Sequence, residues 1–438
     1  MQVLILGLGQ YPHGSGVEAA VYFAKRGDTV VVTDLKEKEA LKKNVKRLST
    51  YPNVRFVLGE HRLEDVRAAD VVVPNPRVRP NSSFFQEAVR LGKTIESDVS
   101  LFLSACPAPV VGVTGTRGKS TTATLIAEML KADGRHVWLG GNILVSPLTF
   151  LSKVKEMDWV VLELSSWQLE LTGRKGISPR YAVWTNLMRD HLNTYANMAE
   201  YAEAKAQIFR HQDHEGLVLL SAERQFKIYA DTAPGEVLRV GLPKSEACRI
   251  VETTKMKVRG VHNEQNAVSA VTMVRALGVD VATIKRVLRE FPGLPNRQEE
   301  IAYIDGVRYI NDTTSTTPDA TIAALLCFAP HTIHLIFGGA DKALDFKEVA
   351  KMIRRIRPHV YLLPGTAHEK ICHAFTLAKI RWQDTSNLSE AMRGIFGLVK
   401  RGDVVLLSPG CASFGLFTNE FDRGEQFCKL VKKQAAKG

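Results

Sequence analysis

No apolar run in this 438-residue sequence approaches the ~20 residues that a bilayer-spanning helix needs. Membrane insertion is therefore not expected. Met1 leads straight into Val3-Leu4-Ile5-Leu6-Gly7, a strand-like segment without the charged n-region of a secretory signal, so a cytoplasmic protein is expected. Cysteine is sparse and scattered, at 106, 248, 327, 372, 411 and 428, with no CxxC pair and no zinc-ligand spacing. That excludes a disulfide framework and a zinc finger, and the thiols are read as reduced. Lys and Arg number 58 against 46 Asp and Glu, yet no polybasic block or aromatic-studded basic stripe concentrates the excess. Nucleic acid is thus the weakest reading of the positive charge; small anionic substrates, or solubility alone, fit it better. Internal repeats are lacking, and only the basic end Lys432-Lys-Gln-Ala-Ala-Lys-Gly438 is compositionally simple.

With 45% hydrophobic and 24% charged residues the chain has the balance of an ordinary globular protein. At roughly 150 residues per domain its length predicts three domains. Short apolar runs alternate with helical stretches in the first hundred residues: Val3–Leu6, then Val17–Lys25, Val30–Asp34 and Val71–Val73. This is the rhythm of βαβ units. The proline-bearing Ser104–Pro109 marks a first boundary before the strand-like Val110-Val-Gly-Val113, and Phe291-Pro-Gly-Leu-Pro295 marks a second. Between them Trp159–Leu164 and Ala182–Thr185 read as strands; beyond them Val307–Asn311, Thr332–Phe337, Val360–Leu363 and Val404–Leu407 predict a third parallel sheet. The expected domains are 1–105, 106–296 and 297–438, all α/β.

Gly7-Leu-Gly9 after the first strand suggests a dinucleotide loop, but Pro12 stands where the third glycine would permit close helix packing. A nucleotide phosphate near this turn fits better than NAD. Asp34, ending the second apolar run, either holds a ribose or caps the turn. The decisive motif is Gly112-Val-Thr-Gly115-Thr-Arg-Gly118-Lys119-Ser120-Thr121-Thr122, set after a strand and before a helical run. Glycines there let backbone N–H groups converge on phosphate oxygens at a helix N-terminus. Lys119 would reach the β- and γ-phosphates and Ser120 would bind Mg²⁺.

The GxTGTxGKST spacing resembles the ATP loop of the Mur ligase and folylpolyglutamate synthetase superfamily, with Arg117 where the family often has Asn. Glu163-Leu-Ser-Ser-Trp-Gln168, Asn186-Leu-Met-Arg-Asp190-His191, Ala204-Lys205, His262-Asn263, Gly293-Leu-Pro-Asn-Arg297, Asn311-Asp312 and Ser408–Phe414 follow in the family's order across nearly the whole chain. The resemblance implies an N-terminal Rossmann-like UDP-binding domain, a central P-loop ATPase-like parallel sheet and a C-terminal Rossmann-like domain that brings an amino acid. It implies an ATP-dependent amide ligase working through an acyl phosphate as a monomer. ELSSxQL and GLPxR are most similar to the members that add D-glutamate to UDP-N-acetylmuramoyl-L-alanine. A sister ligase using another amino acid, such as L-glutamate, is the alternative.

By the same resemblance, Gly115, Thr116, Gly118, Lys119, Ser120, Thr121, Asn263, Arg297 and Asp312 bind ATP. Two Mg²⁺ ions are expected on Ser120, Glu163, His191 and a carbamylated Lys205, although Lys205, read from its helical run alone, is simply a solvated lysine. Gly9, Asp34, Asn142, Ser165, Gln168 and Asp190 are expected at the UDP substrate, and Thr316, Lys342, Ser413 and Phe414 at the incoming amino acid. One departure concerns that last group: Thr314 stands where a lysine is common, which removes a cation suited to glutamate's carboxylate.

Overall fold

A computed structural model describes residues 1–436 except 77, 144, 191–193 and 259. The chain forms three separate sheets. It divides into two compact units, Met1–Lys255 with Glu264–Arg289, and Met256–Asn263 with Glu290–Gly438.

The first unit holds two wholly parallel sheets. One contains β1 (Gln2–Leu6), β2 (Thr29–Asp34), β3 (Val54–Leu58), β4 (Val71–Pro74) and β5 (Thr94–Ile95), in the order β3-β2-β1-β4-β5. Successive β1 side chains point to opposite faces. Val3 and Ile5 join one core cluster and Leu4 and Leu6 another, which is why the strand reads as an unbroken apolar run. Each such side chain contributes about 1.5–3 kcal/mol on burial.

The second sheet contains β6 (Val110–Thr114), β7 (Val137–Gly141), β8 (Trp159–Glu163), β9 (Tyr181–Trp184), β10 (Leu217–Ser221) and β11 (Glu236–Val240), in the order β11-β10-β9-β6-β8-β7. In this order β6 lies between β9 and β8, where the winding reverses. Ligands of open α/β sheets gather at the carboxyl ends of strands at such a point.

The second unit carries β12 (Glu299–Ile304), β13 (Val307–Asn311), β14 (Ile333–Gly338), β15 (His359–Leu363), β16 (Gln383–Asp384) and β17 (Val404–Leu407), ordered β12-β13-β17-β14-β15-β16. The four runs named above pair in parallel as expected, and the sheet gains an edge strand that was not foreseen, β12, which runs antiparallel to β13. Only the two residues Asp305 and Gly306 separate these strands, and a parallel crossover needs a dozen or more. Among the described residues no helix is long and apolar enough to cross a membrane.

Candidate active site

Sheet register brings the first set of groups together. Val113 of β6 stands opposite Glu163 of β8, Thr114 opposite Trp184 of β9, and Gly141 of β7 opposite Glu163. The carboxyl ends therefore deliver, side by side, Thr185-Asn186, the glycine loop, Glu163 and Asn142. The loop is tied to its neighbour by several bonds: Thr116 N donates to Asn186 O (3.1 Å), Arg117 N to Asn186 Oδ1 (2.9 Å) and Thr185 Oγ1 to Arg117 O (2.7 Å).

Two glycines make this path possible. Gly115 has φ +150° and Gly118 has φ +80°, and a Cβ at either would lie 2.0 Å from Thr185 Oγ1 or Asn266 Oδ1 respectively. Side chains rarely adopt such φ values, and the contacts would forbid them even if they did. Gly118 is the N-cap of the helix Lys119–Ala132, and among the described residues no side chain caps it. The helix Ser166–Arg174 differs, because Ser165 and Gln168 close a capping box at its start. A helix N-terminus directs N–H groups and a positive dipole towards an anion.

Lys119 Nζ donates to Gly115 O and Thr116 O, both at 3.1 Å. Lys205, from the last turn of the helix Met198–Ala206, donates to the same Gly115 O at 2.9 Å. Its solvated reading is wrong: Lys205 is 2% exposed, and its amine lies 4.6 Å from the centre of the Tyr201 ring. Burial, then the charge of Lys119, holds its pKa well below the ordinary value, although Asp190 and Glu163 oppose the shift.

Glu163 is also 2% exposed. Its Oε1 accepts from Asn142 Nδ2 at 2.7 Å, whereas buried Oε2 has no hydrogen-bond partner among the described residues. A buried carboxylate oxygen left this way costs several kcal/mol unless a cation meets it. With the Ser120 hydroxyl it offers the hard oxygen donors that Mg²⁺ takes, so the residues present fit that ion. Asp190 stands 3.7 Å from Arg117, both partly exposed; His191 lies outside the described residues.

The expected UDP-substrate residues fall into local pairs. Gly9 N donates to Asp34 Oδ2 at 3.0 Å, at the carboxyl ends of β1 and β2. Gln168 Oε1 accepts from both Ser165 N and Ser165 Oγ at 3.0 Å, so this pair also holds the start of its own helix.

The second unit gathers its residues at the ends of β13, β14 and β17. Asp312 is buried and accepts from the Ser408 hydroxyl (2.8 Å), the Ser315 hydroxyl and Gln298 N (3.1 Å). Burial raises its pKa to about 6 despite these donors and the nearby Arg297 charge. Arg297 is exposed and Asn263 half-buried. Lys342 Nζ reaches Thr316 Oγ1 at 3.3 Å, while Ala340 and Ala412 exchange backbone bonds that join the Lys342 and Ser413 loops. Ser413 Oγ is buried without a partner among the described residues, and Phe414 is exposed. Thr314 Oγ1 is committed to Asn296 O at 2.8 Å.

Beneath these loops lies a group that sequence reasoning missed. Arg423, wholly buried, donates to Thr313 Oγ1 (3.0 Å), Thr313 O (2.8 Å) and Cys411 O (3.3 Å). Asn186 and Asn266, which frame the glycine loop, were also missed as site residues, although Asn186 opens one of the quoted motifs.

A glycine loop at a helix N-terminus beside a buried carboxylate and a buried lysine is an arrangement for a nucleotide polyphosphate. Residues 113–274 match the Mur ligase middle domain and residues 296–411 the Mur ligase glutamate ligase domain. The chain belongs to the Mur ligase family. It is 38% identical to the UDP-N-acetylmuramoylalanine–D-glutamate ligase of Roseiflexus sp. (strain RS-1), over 98% of either chain. It is 34% identical to the ligase of that name from Borreliella afzelii (strain PKo), over 98% of this chain and 97% of the relative. Among solved structures, the UDP-N-acetylmuramate–alanine ligase of Thermotoga maritima superposes with TM-score 0.65 at 20% identity, covering 99% of this chain and 100% of that one. The MurF ligase of Thermotoga maritima, solved in complex with ADP, gives 0.60 at 19% identity over 93% and 95%. These two Mur ligase structures share the three-sheet α/β fold.

Proposed function

We propose that this Mur ligase joins D-glutamate to UDP-N-acetylmuramoyl-L-alanine at the expense of ATP, a step of peptidoglycan precursor synthesis. The observation that carries the reading is the meeting of Lys119, Lys205 and Glu163 around the Gly115–Gly118 loop; the names of the relatives supply the substrates. A carboxylate is inert towards an amine until one of its oxygens becomes a leaving group. Here the L-alanyl carboxylate attacks the γ-phosphorus of ATP, the bond to the β-phosphate oxygen breaks, and ADP leaves. The amine of D-glutamate then attacks the acyl carbon and expels inorganic phosphate.

In this scheme the loop amides and Lys119 hold the phosphates in line and offset the charge that repels the two anions. Glu163 and Ser120, with His191, would hold Mg²⁺, which when bound neutralises phosphate charge. Lys205 takes up CO₂ as a carbamate: the neutral amine is the form that adds to CO₂, releasing one proton, and burial shifts the equilibrium towards that form. Asn263, Arg297 and Asp312 grip the nucleotide. Gly9, Asp34, Asn142, Ser165, Gln168 and Asp190 serve the UDP substrate. Lys342, Thr316, Ser413 and Phe414 receive glutamate, Ser413 through its buried hydroxyl. Domains 1–105, 106–296 and 297–438 divide these tasks.

The test is ADP release from the full chain with a panel of UDP-muramoyl acceptors and amino acids. Turnover should require both an acceptor and an amino acid, and D-glutamate should be used best. Preference for L-glutamate, or for a neutral or basic amino acid, would overturn the substrate assignment and leave the ligase chemistry standing.

A further inference from the structure

Three side chains on the second unit take no part in the scheme above. His368 and Cys372 lie one turn apart on the helix His368–Leu377, so their side chains share a face. Asp384, ending the edge strand β16, stands against that face because it pairs with Leu362 of β15. His368 Nε2 is 2.9 Å from Asp384 Oδ1 and 3.7 Å from Cys372 Sγ, and the three ligand atoms all lie within 4.8 Å of one another. Trp382 Nε1 donates to Asp384 Oδ1 at 3.2 Å, which orients the carboxylate from outside the group.

We propose that His368, Cys372 and Asp384 form a binding site for one borderline-soft divalent cation of the zinc class. A tetrahedral zinc ion with bonds of about 2.0–2.3 Å holds sulfur and nitrogen ligands about 3.5 Å apart, close to the separation found here. The His–Asp pair, now in hydrogen-bond contact, opens by a few tenths of an ångström to about 3.3 Å to admit the ion. Charge also matches, since a thiolate, a carboxylate and a neutral imidazole together carry two negative charges. Cys372 binds as the thiolate and its proton passes to water. Three protein ligands on a partly exposed face leave the fourth position to water. The thiolate selects zinc-class ions over Mg²⁺, so this site is chemically distinct from the one formed by Glu163, Ser120 and His191. The bland alternative, a surface His–Asp ion pair beside an unrelated thiol, binds no metal through sulfur.

The experiment uses the metal-free full chain. Zn²⁺ is titrated against a chromophoric chelator, and Co²⁺ serves as a spectroscopic probe. One equivalent of Zn²⁺ should bind, and Co²⁺ should give a thiolate-to-metal absorption band that oxygen-ligated Co²⁺ does not show. Cys372→Ser should abolish the band, and His368→Ala should weaken Zn²⁺ binding at least tenfold, as even outer-shell changes at metal sites cost about that much. Equal Zn²⁺ affinity in the unaltered protein and Cys372→Ser, or a Co²⁺ complex without the band, would overturn the proposal. A second measurement needs no variant: Zn²⁺ should slow iodoacetamide labelling of Cys372 while leaving Cys428 unaffected. Equal labelling of Cys372 with and without Zn²⁺ refutes the site.

Discussion

Lys119 and Lys205 donate to one acceptor, the carbonyl of Gly115, at 3.1 and 2.9 Å. Two amines aimed at a single oxygen repel each other while both are charged, and only Lys205 is buried. The buried amine is therefore the one whose charged form is disfavoured, which separates the roles of two residues of the same chemistry.

For Lys119 the expected outcome is catalytic. Lys119→Ala should lower turnover by about 10²-fold or more, the scale seen when one preorganised transition-state contact is removed. Its hydrogen bonds to Gly115 O and Thr116 O lie in the loop and not in a helix or strand ladder, so the circular dichroism spectrum should not change. Near-normal ADP release from a folded variant would remove Lys119 from the mechanism.

Lys205 has a pH signature as well as a chemical one. Its folded pKa is depressed below 10.5, so between those values the unfolded chain holds more protons than the folded one, and stability falls as the pH drops through that window. In CO₂-free buffer, Lys205→Met should be the more thermostable protein, with a margin that grows as the pH falls from ~10 towards the folded value. Activity of the unaltered enzyme should fall when bicarbonate is stripped and return when it is restored. A pH-independent margin, together with activity indifferent to bicarbonate, would refute the neutral-amine account.

Asp312 shifts the other way. Burial raises its carboxyl from 3.8 to about 6, so its stabilising contribution is complete below the lower value and lost as the pH rises through the upper one. About two pKa units correspond to roughly 3 kcal/mol. Chemical denaturation between pH ~4 and ~7 should show Asp312→Asn free of this loss, while its KM for ATP rises because the hold on the nucleotide is weakened. Parallel stability curves for the two proteins would contradict the raised pKa.

The amino-acid site offers a rescue experiment. Thr314 leaves no cation at its position, but Lys342 beside Thr316 provides one. Lys342→Met should raise the D-glutamate KM by about 10–100-fold, the value of one charge-assisted contact of ~1.5–3 kcal/mol, with the ATP KM unchanged. Adding Thr314→Lys should recover part of the loss. An unchanged D-glutamate KM in Lys342→Met would place the carboxylate elsewhere.

The central strands of each sheet and the glycine loop were legible in the sequence because each is a local pattern. β1, β6 and β8 are apolar runs buried on both faces, and the loop announces itself by glycine spacing between a strand and a helix. Burial of polar residues through distant contacts was not legible. Lys205 sits in Ala-Glu-Tyr-Ala-Glu-Ala-Lys-Ala, which has no wide apolar stripe, and it is covered by a loop ninety positions earlier. Arg423 stands among charged neighbours in Glu420–Ala435 and reads as solvated, yet its partners are carbonyls and a hydroxyl fixed by other strands. β12 carries glutamates at 299 and 300, so its place at the sheet edge showed no apolar signal.

The 2.0 Å approach of a Gly118 Cβ to Asn266 Oδ1 links two positions 148 residues apart in a way that bears on how such a sequence can change. An alanine at 118 collides with Asn266, and a smaller residue at 266 first removes the wall against which the loop rests. Clearing the collision at 266 still leaves an alanine at φ +80°, so the second change recovers only part of the loss, and a library varied at both positions should keep glycine at 118 whatever stands at 266.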